Sequence, residues 1–370
     1  MAGAAGRSRD EVASYLALAQ VPGIGAARLR TLVAAFETAA AALRAPHGAI
    51  AALPGFSRAA ATAIRASSPR AGHQILDQLD RLGACVLLPD DPAFPPLLRE
   101  VPDPPALLFA WGDPALLARP AVGIVGRRDH SPYGAEAARL LAAGVAGAGV
   151  VVASGMARGI DAIAHAAALD AGGASVGILG NGFGVIYPAV NRALYERMVA
   201  RGCLVTELPP GERPHAGAFP RRNRLISGLA GVTVVVEAAP GSGALITTDC
   251  ALDQGRAVLA VPGPITSPSS LGCNRLIQQG AKPALTAGDI LEELGLPAAP
   301  QGAERAPRTP PPDLSALQRS LWETLRSEPR HVDMLVATAG ADTGAVLTAL
   351  TELEMRGVVQ QRPGMVFGLV

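Results

Sequence analysis

Lysine is almost missing from this chain: of 32 basic residues only Lys282, in Gly280-Ala-Lys-Pro, is not an arginine. A phosphate loop of the form Gly-x4-Gly-Lys-Ser/Thr needs its lysine at the head of a helix, so nucleotide hydrolysis of that kind is excluded. The preference for arginine accompanies abundant Ala and Gly, and we read it as compositional bias. Cysteine is sparse as well. Cys85, Cys203, Cys250 and Cys273 form no C-x-x-C pair and no short-spaced framework, which argues against a disulfide scaffold and a zinc ribbon. H-E-x-x-H does not occur, and the one Gly-x-Ser-x-Gly spacing, Gly173-Ala-Ser-Val-Gly177, has its serine at the start of the predicted strand 175–179 and not at a strand-to-helix turn, so the sequence offers no zinc-hydrolase helix and no nucleophile elbow. No apolar run reaches the ~18 residues of a membrane span, and the N-terminus lacks a basic-then-apolar leader. A soluble, cytoplasmic protein without metal or cofactor is expected.

What is present is length and an uneven charge. A chain of 370 residues exceeds the ~250–300 at which single cores stop growing. The net charge of +1 resolves into +5 over residues 1–70, −5 over 71–118, +2 over 119–297, +1 over 298–312 and −2 over 313–370. Residues 1–70 read as short helices carrying Val21-Pro-Gly-Ile-Gly and Leu53-Pro-Gly-Phe-Ser, a helix-hairpin-helix (SAM-like) pattern. Such hairpins offer backbone N–H groups to phosphate without reading a base, although a plain helical bundle with tight turns fits equally. Residues 71–118 are expected to be an acidic, Pro-rich connector, irregular over 89–105.

Over 119–297, β-branched runs without polar alternation (122–125, 150–153, 175–179, 204–207, 232–237 and 257–261) alternate with helical patterns. Strands of that kind are covered on both faces, which predicts a Rossmann-like, doubly wound, mostly parallel α/β sheet. Five prolines mark residues 298–312 as a linker. Helices at 314–326, 332–339 and 342–356, a strand at 358–361, a turn at Pro363-Gly364 and a strand at 365–369 predict a winged helix over 313–370. Its third helix carries Asp342, Glu352 and Glu354 against Arg356, a poor match to a DNA groove, so the module reads as a protein contact.

Three strand-to-helix junctions are rich in small residues: Gly126-Arg127-Arg128, Ser154-Gly155 through Gly159 to Asp161, and Glu237 through Ser242-Gly243. Such turns let backbone approach a ligand, and the following helix N-terminus favours an anion, so Gly126, Arg127, Gly159, Ser242 and Gly243 are candidate phosphate contacts. A denser signal is Phe219-Pro-Arg-Arg-Asn-Arg, with Arg221, Arg222, Asn223 and Arg224 at or within a predicted first helical turn. Cations oppose the dipole there by roughly 0.3–1 kcal/mol each unless an anion joins them. Arginine forks hold phosphate, and Phe219 offers a face to a base. Ser154, Asp161 and His165 are types seen in hydrolytic sets, but a structural role fits better, with Asp161 capping its helix and His165 bonded internally.

Together these motifs resemble the DNA-processing protein A (DprA/Smf) family. The matching blocks are Ile124-Val-Gly-Arg-Arg, Ser154-Gly-Met-Ala-Arg-Gly-Ile-Asp with His165, Tyr187-Pro with Asn191, Phe219-Pro-Arg-Arg-Asn-Arg, Glu237-Ala with Ser242-Gly, Val261-Pro-Gly, and Gly272-Cys-Asn-Arg-Leu-Ile with Gly280-Ala. The resemblance implies a non-enzymatic mediator that binds single-stranded DNA in a basic pocket. It also implies dimerisation through the Rossmann-like domain and loading of RecA recombinase during natural transformation, with displacement of single-strand-binding protein. Carried over, the DNA contacts are Arg128, Phe219, Arg222, Asn223 and Arg224, with Ser154 and Gly155 lining the pocket. Arg127 stands where the family commonly has a small hydroxyl, and Arg221 or Arg222 where it often has lysine. The competing expectation is a phosphoribohydrolase-type nucleotide enzyme of a related Rossmann-like fold, whose transition state would need Glu237.

Overall fold

Each predicted apolar run forms a strand, because helices cover both faces of the sheet it joins. This computed structural model describes residues 6–297, 310–326, 329–362 and 364–369. The expected linker residues 298–309 and the turn proline Pro363 lie outside them. The strands are β1 (Cys85–Leu87), β2 (Leu108–Gly112), β3 (Ala121–Val125), β4 (Val151–Ser154), β5 (Ser175–Ile178), β6 (Cys203–Thr206), β7 (Val232–Val235), β8 (Ala257–Ala260) and β9 (Lys282–Pro283). They form one sheet in the order β1-β2-β6-β5-β4-β3-β7-β8-β9. The steps from β6 through β9 are parallel, with Val122 of β3 beside both Val152 and Val232. The edge strands β1 and β2 are antiparallel. The winding direction reverses between β3 and β7, and a crevice opens beyond the carboxyl ends of such a pair.

One sheet face is packed by the helices Pro132–Gly147 and Ile160–Asp170, through Ala138, Leu141, Val145, Ala164 and Ala168. The other carries Ala218–Leu229 and Gly243–Asp253, through Leu225, Leu229, Ala244 and Ala251. Their starts are locally encoded. Pro132 sits at the first turn behind Ser131, whose Oγ accepts from Gly134 N at 3.0 Å.

The expected connector over 71–118 is instead built into the fold. Its first residues belong to the helix Pro69–Leu82, whose Gly72 lies against the Ala13 carbonyl of the helix Arg9–Ala19, so close that a Cβ there would stand 1.9 Å from that oxygen. The rest supplies β1 and β2, and buries Phe94 and Leu98 completely. Prolines mask this order because the backbone between β1 and β2 is held by side chains. Arg99 donates to the carbonyls of Pro89 (2.7 Å) and Asp91 (2.6 Å), and the Asp91 carboxylate accepts from Leu88 N at 2.6 Å. The N-terminal helices share one apolar cluster with the strand residues Phe109 and Leu204 and with Leu179 just beyond β5, and Met1–Ala299 forms a single unit.

Residues 300–370 form a second unit, a winged helix. Helices Ala316–Leu325, Val332–Ala339 and Thr343–Met355 enclose Leu321, Trp322, Leu335, Leu350 and Phe367, beside a three-stranded sheet of β10 (Arg330–His331), β11 (Val359–Arg362) and β12 (Val366–Leu369). The acids of its third helix serve the fold itself. Asp342 caps the helix, Glu352 accepts from Gln318 Nε2 at 2.7 Å, and Glu354 accepts from Gln361 N at 2.9 Å. Among the described residues no single helix is long and apolar enough to cross a membrane.

Candidate nucleic-acid interface

Where β3 and β7 diverge, the loops after Val125 and Val235 open a cleft of about 690 Å³ bordered by Arg127, Arg128, Phe219, Asn223, Ser242 and Gly243. Ser242 Oγ caps the helix Gly243–Asp253, whose first turn opens on the cleft. Asp129 is held by Arg158 at 3.2 Å. Among the described residues neither Arg127 nor Arg128 has a carboxylate within 4.0 Å. Apart from the buried Arg222 beneath it, the unpaired positive charge of the cleft therefore belongs to these two arginines.

The loop carrying them is fixed by close packing. Gly159 has φ +85°, and a Cβ there would lie 2.4 Å from the carbonyl oxygens of both Arg127 and Arg128. Ile160 N donates to Arg127 O at 3.1 Å, and a Cβ on Gly126 would stand 2.7 Å from Ile160 Cγ1. Gly126 and Gly159 thus serve the approach of two loops to one another. That approach commits the first amide of the helix Ile160–Asp170 to the carbonyl of Arg127.

The second junction is likewise committed internally. Asp161 accepts from Gly155 N (3.1 Å) and Ala157 N (3.4 Å), so it ties down the preceding loop and does not cap its own helix. Burial pushes its carboxyl upward, opposed chiefly by the charge of Arg222. Ser154 is fully buried and donates to Ile124 O at 2.6 Å, which removes it from the cleft wall. His165 is fully buried; its Nδ1 lies 2.7 Å from Ser175 Oγ, and its Nε2 accepts from Met156 N at 3.4 Å. Since Ser175 Oγ already donates to Val152 O, the imidazole N–H at Nδ1 is the donor of that contact. Burial, then the nearby Arg222, pushes its pKa down to about 3.

The arginine cluster divides over one helix. Ala218–Leu229 begins earlier than expected, so Arg221 to Arg224 occupy its second turn, beyond the strongest part of the dipole. Helical spacing sets Phe219, Arg222 and Asn223 toward the cleft and Arg221 and Arg224 toward another hollow. Arg224 grips Glu207 with two bonds of 2.7 Å and Asp103 O at 2.8 Å, a structural clamp. Arg222 is only 7% exposed, seated on Gly155, with Nη1 donating to Ile178 O at 2.5 Å. Burial lowers its pKa to about 10. The charge it presents to Asp161 and to the cleft floor comes from a fixed position.

Phe219 rests on Gly180, beside Tyr187 (centroids 5.6 Å) and beneath the Arg128 guanidinium at 5.9 Å. Tyr187, 44% exposed, borders an adjoining hollow of about 250 Å³. Sequence reasoning did not place it in the site, although Tyr187-Pro was among the matching blocks. Glu237 lies elsewhere: it is 3% exposed and accepts from Ser131 N at 2.9 Å, against Gly134. A nucleotide-cleaving site relying on Glu237 is therefore not assembled. Among the described residues no group of His, Cys, Asp or Glu is arranged to hold a metal ion.

Comparison with known proteins identifies the family and the fold. Residues 85–295 match the family described as DNA recombination-mediator protein A, and residues 305–365 match the DprA winged helix domain. Protein Smf of Synechocystis is 34% identical, over 97% of this chain and 98% of its own length. The X-ray structure of DNA processing protein A from Streptococcus pneumoniae superposes with a TM-score of 0.65 at 32% identity, covering 78% of this chain and 98% of that one. A structure from Helicobacter pylori, described by its single-stranded DNA binding mode, gives a TM-score of 0.51 at 28% identity over 54% of this chain and 92% of its own.

Proposed function

Because the chain belongs to the DprA/Smf family of DNA recombination mediators, we propose that it binds single-stranded DNA along the cleft between β3 and β7. The observation that carries this reading is the pair of arginines without carboxylate partners, Arg127 and Arg128, beside the Phe219–Tyr187 aromatic pair. Guanidiniums and the Ser242–Gly243 helix start hold phosphates, while the rings accept the face of any base. Neither contact reads a base edge, so sequence preference is low. Asn223 joins the walls, its Nδ2 reaching Gly243 O at 3.4 Å. Arg222 acts from beneath as a fixed charge, and Arg224 by holding the helix.

Membership in a family described as DNA recombination mediators supports a part in DNA processing and recombination; the finer role we propose with it is a cytoplasmic homodimer, joined through its α/β part, that delivers the strand to RecA recombinase in natural transformation and recombination. The test is a fluorescence-anisotropy titration of an oligothymidylate and a duplex over a range of salt. Single strands should bind more tightly, with a log–log salt slope of about −0.7 per phosphate contacted. Arg128→Ala should weaken binding about tenfold and flatten that slope by about 0.7. Affinity indifferent to salt, or equal for duplex, overturns the reading.

A further inference from the structure

A hollow of about 300 Å³ lies on the far side of the Ala218–Leu229 helix, between its Arg221 and the first helical hairpin. Gln20, Ile24, Gly25 and Ala26 form one wall, and His215, Arg221 and Arg224 the other. Gly180 and Arg222 border both this hollow and the one beside Tyr187, so the two adjoin across the same residues.

The hairpin wall is the start of an eleven-residue helix, Ala26–Phe36, with Gly25 as its N-cap and no side chain accepting from its first turn. There is no acidic residue in that turn. The opposing wall brings Arg221, exposed and, among the described residues, without a carboxylate within 4.0 Å. At the seam, Arg222 is 7% exposed and its Nε has no hydrogen-bond partner, a buried cationic donor left without an acceptor. The acids present, Asp103 and Glu207, are both turned onto Arg224. The second hairpin is unlike the first, because Ser57 already caps its helix by accepting from Ala60 N at 3.1 Å.

We propose that the first hairpin holds a backbone phosphate of the same single strand as it leaves the β3–β7 cleft, between the N-terminus of Ala26–Phe36 and Arg221. This inference rests on the reading of the cleft given above, and it assigns the N-terminal helices a partner: a continuation of that strand, not a separate duplex. Open N–H groups and a guanidinium recognise the phosphate, and no base is read.

The substitution that isolates this contact is Gly25→Asp. Gly25 has extended backbone, is exposed, and a Cβ there meets nothing within 4 Å, so aspartate is accommodated. Its carboxylate caps the helix from within and occupies the N–H groups a phosphate would use. The chain keeps or gains thermal stability while losing the contact. Anisotropy titrations with oligothymidylates of about 6 and about 20 nucleotides, lengths bracketing one cleft's reach, separate the two sites. Gly25→Asp should bind the short oligomer as the wild type does and the long one about tenfold more weakly. Arg221→Ala should lower long-oligomer affinity in the same way. Unchanged affinity of Gly25→Asp for the long oligomer, or a loss seen only with duplex, overturns the proposal. A wild type that binds neither oligomer would instead refute the cleft reading itself.

Discussion

At the scale of single residues, the buried His165 links stability to pH. Its folded pKa, near 3, lies below the ordinary 6.5, so between those values the unfolded chain binds more protons than the folded one. The stability it contributes is complete above about 6.5 and is lost as pH falls toward 3. Asp161 and Glu207 act in the opposite sense, since burial raises both, and their protonation favours the fold at low pH. The contribution of His165 therefore appears in a difference. Urea titrations of wild type and His165→Gln between pH 7 and about pH 4 should give stability curves that converge as pH falls, because the variant lacks the acid-sensitive term. Curves that stay parallel would show that the imidazole does not titrate differently on unfolding.

At the scale of elements, the sheet was readable and the site only partly so. The runs 122–125, 232–237 and 257–261 announce buried parallel strands because, up to the Glu237 that closes the second, every position is apolar or β-branched. The strands β1 and β2 were hidden: they are short, sit at an antiparallel edge and flank a proline-rich stretch ordered by Arg99 and Asp91. The arginine cluster was found, but as a line of text its members look equivalent. A helix separates positions 219, 222 and 223 from 221 and 224, and only the fold supplies Glu207 and Asp103 as partners for one of them. Gly126 and Gly159 were singled out for good reason, yet their smallness serves loop-to-loop contact, and Ser154 donates its hydroxyl to the β3 carbonyl of Ile124. Arg224→Ala should consequently cost about 2–3 kcal/mol of stability, leaving Glu207 unpaired, as measured by denaturant unfolding. Its DNA salt slope should match that of the wild type; a slope reduced like that of Arg128→Ala would put Arg224 in contact with phosphate.

At the scale of the whole molecule, division of labour follows the two units. Met1–Ala299 contains the sheet, the N-terminal helices and every residue of the cleft, joined by a shared apolar core. Pro300–Val370 has its own core around Trp322, Leu350 and Phe367. A chain ending at residue 299 should therefore unfold cooperatively and bind oligothymidylate within about threefold of the full chain, by circular dichroism and anisotropy. A fragment that fails to fold, or folds but binds far more weakly, would assign the winged helix a part in the interface.

The backbone amide of Ile160, donated to the carbonyl of Arg127, and the glycine that lets those loops touch leave the turn that carries Arg127 and Arg128 little conformational entropy to lose. Ordering on association falls almost wholly on the nucleic acid, the more flexible of the two partners. Hydrogen exchange at Ile160 should already be slow in the free protein and change little on binding. On the proposed binding mode, the strand is shaped by a surface that was finished before it arrived.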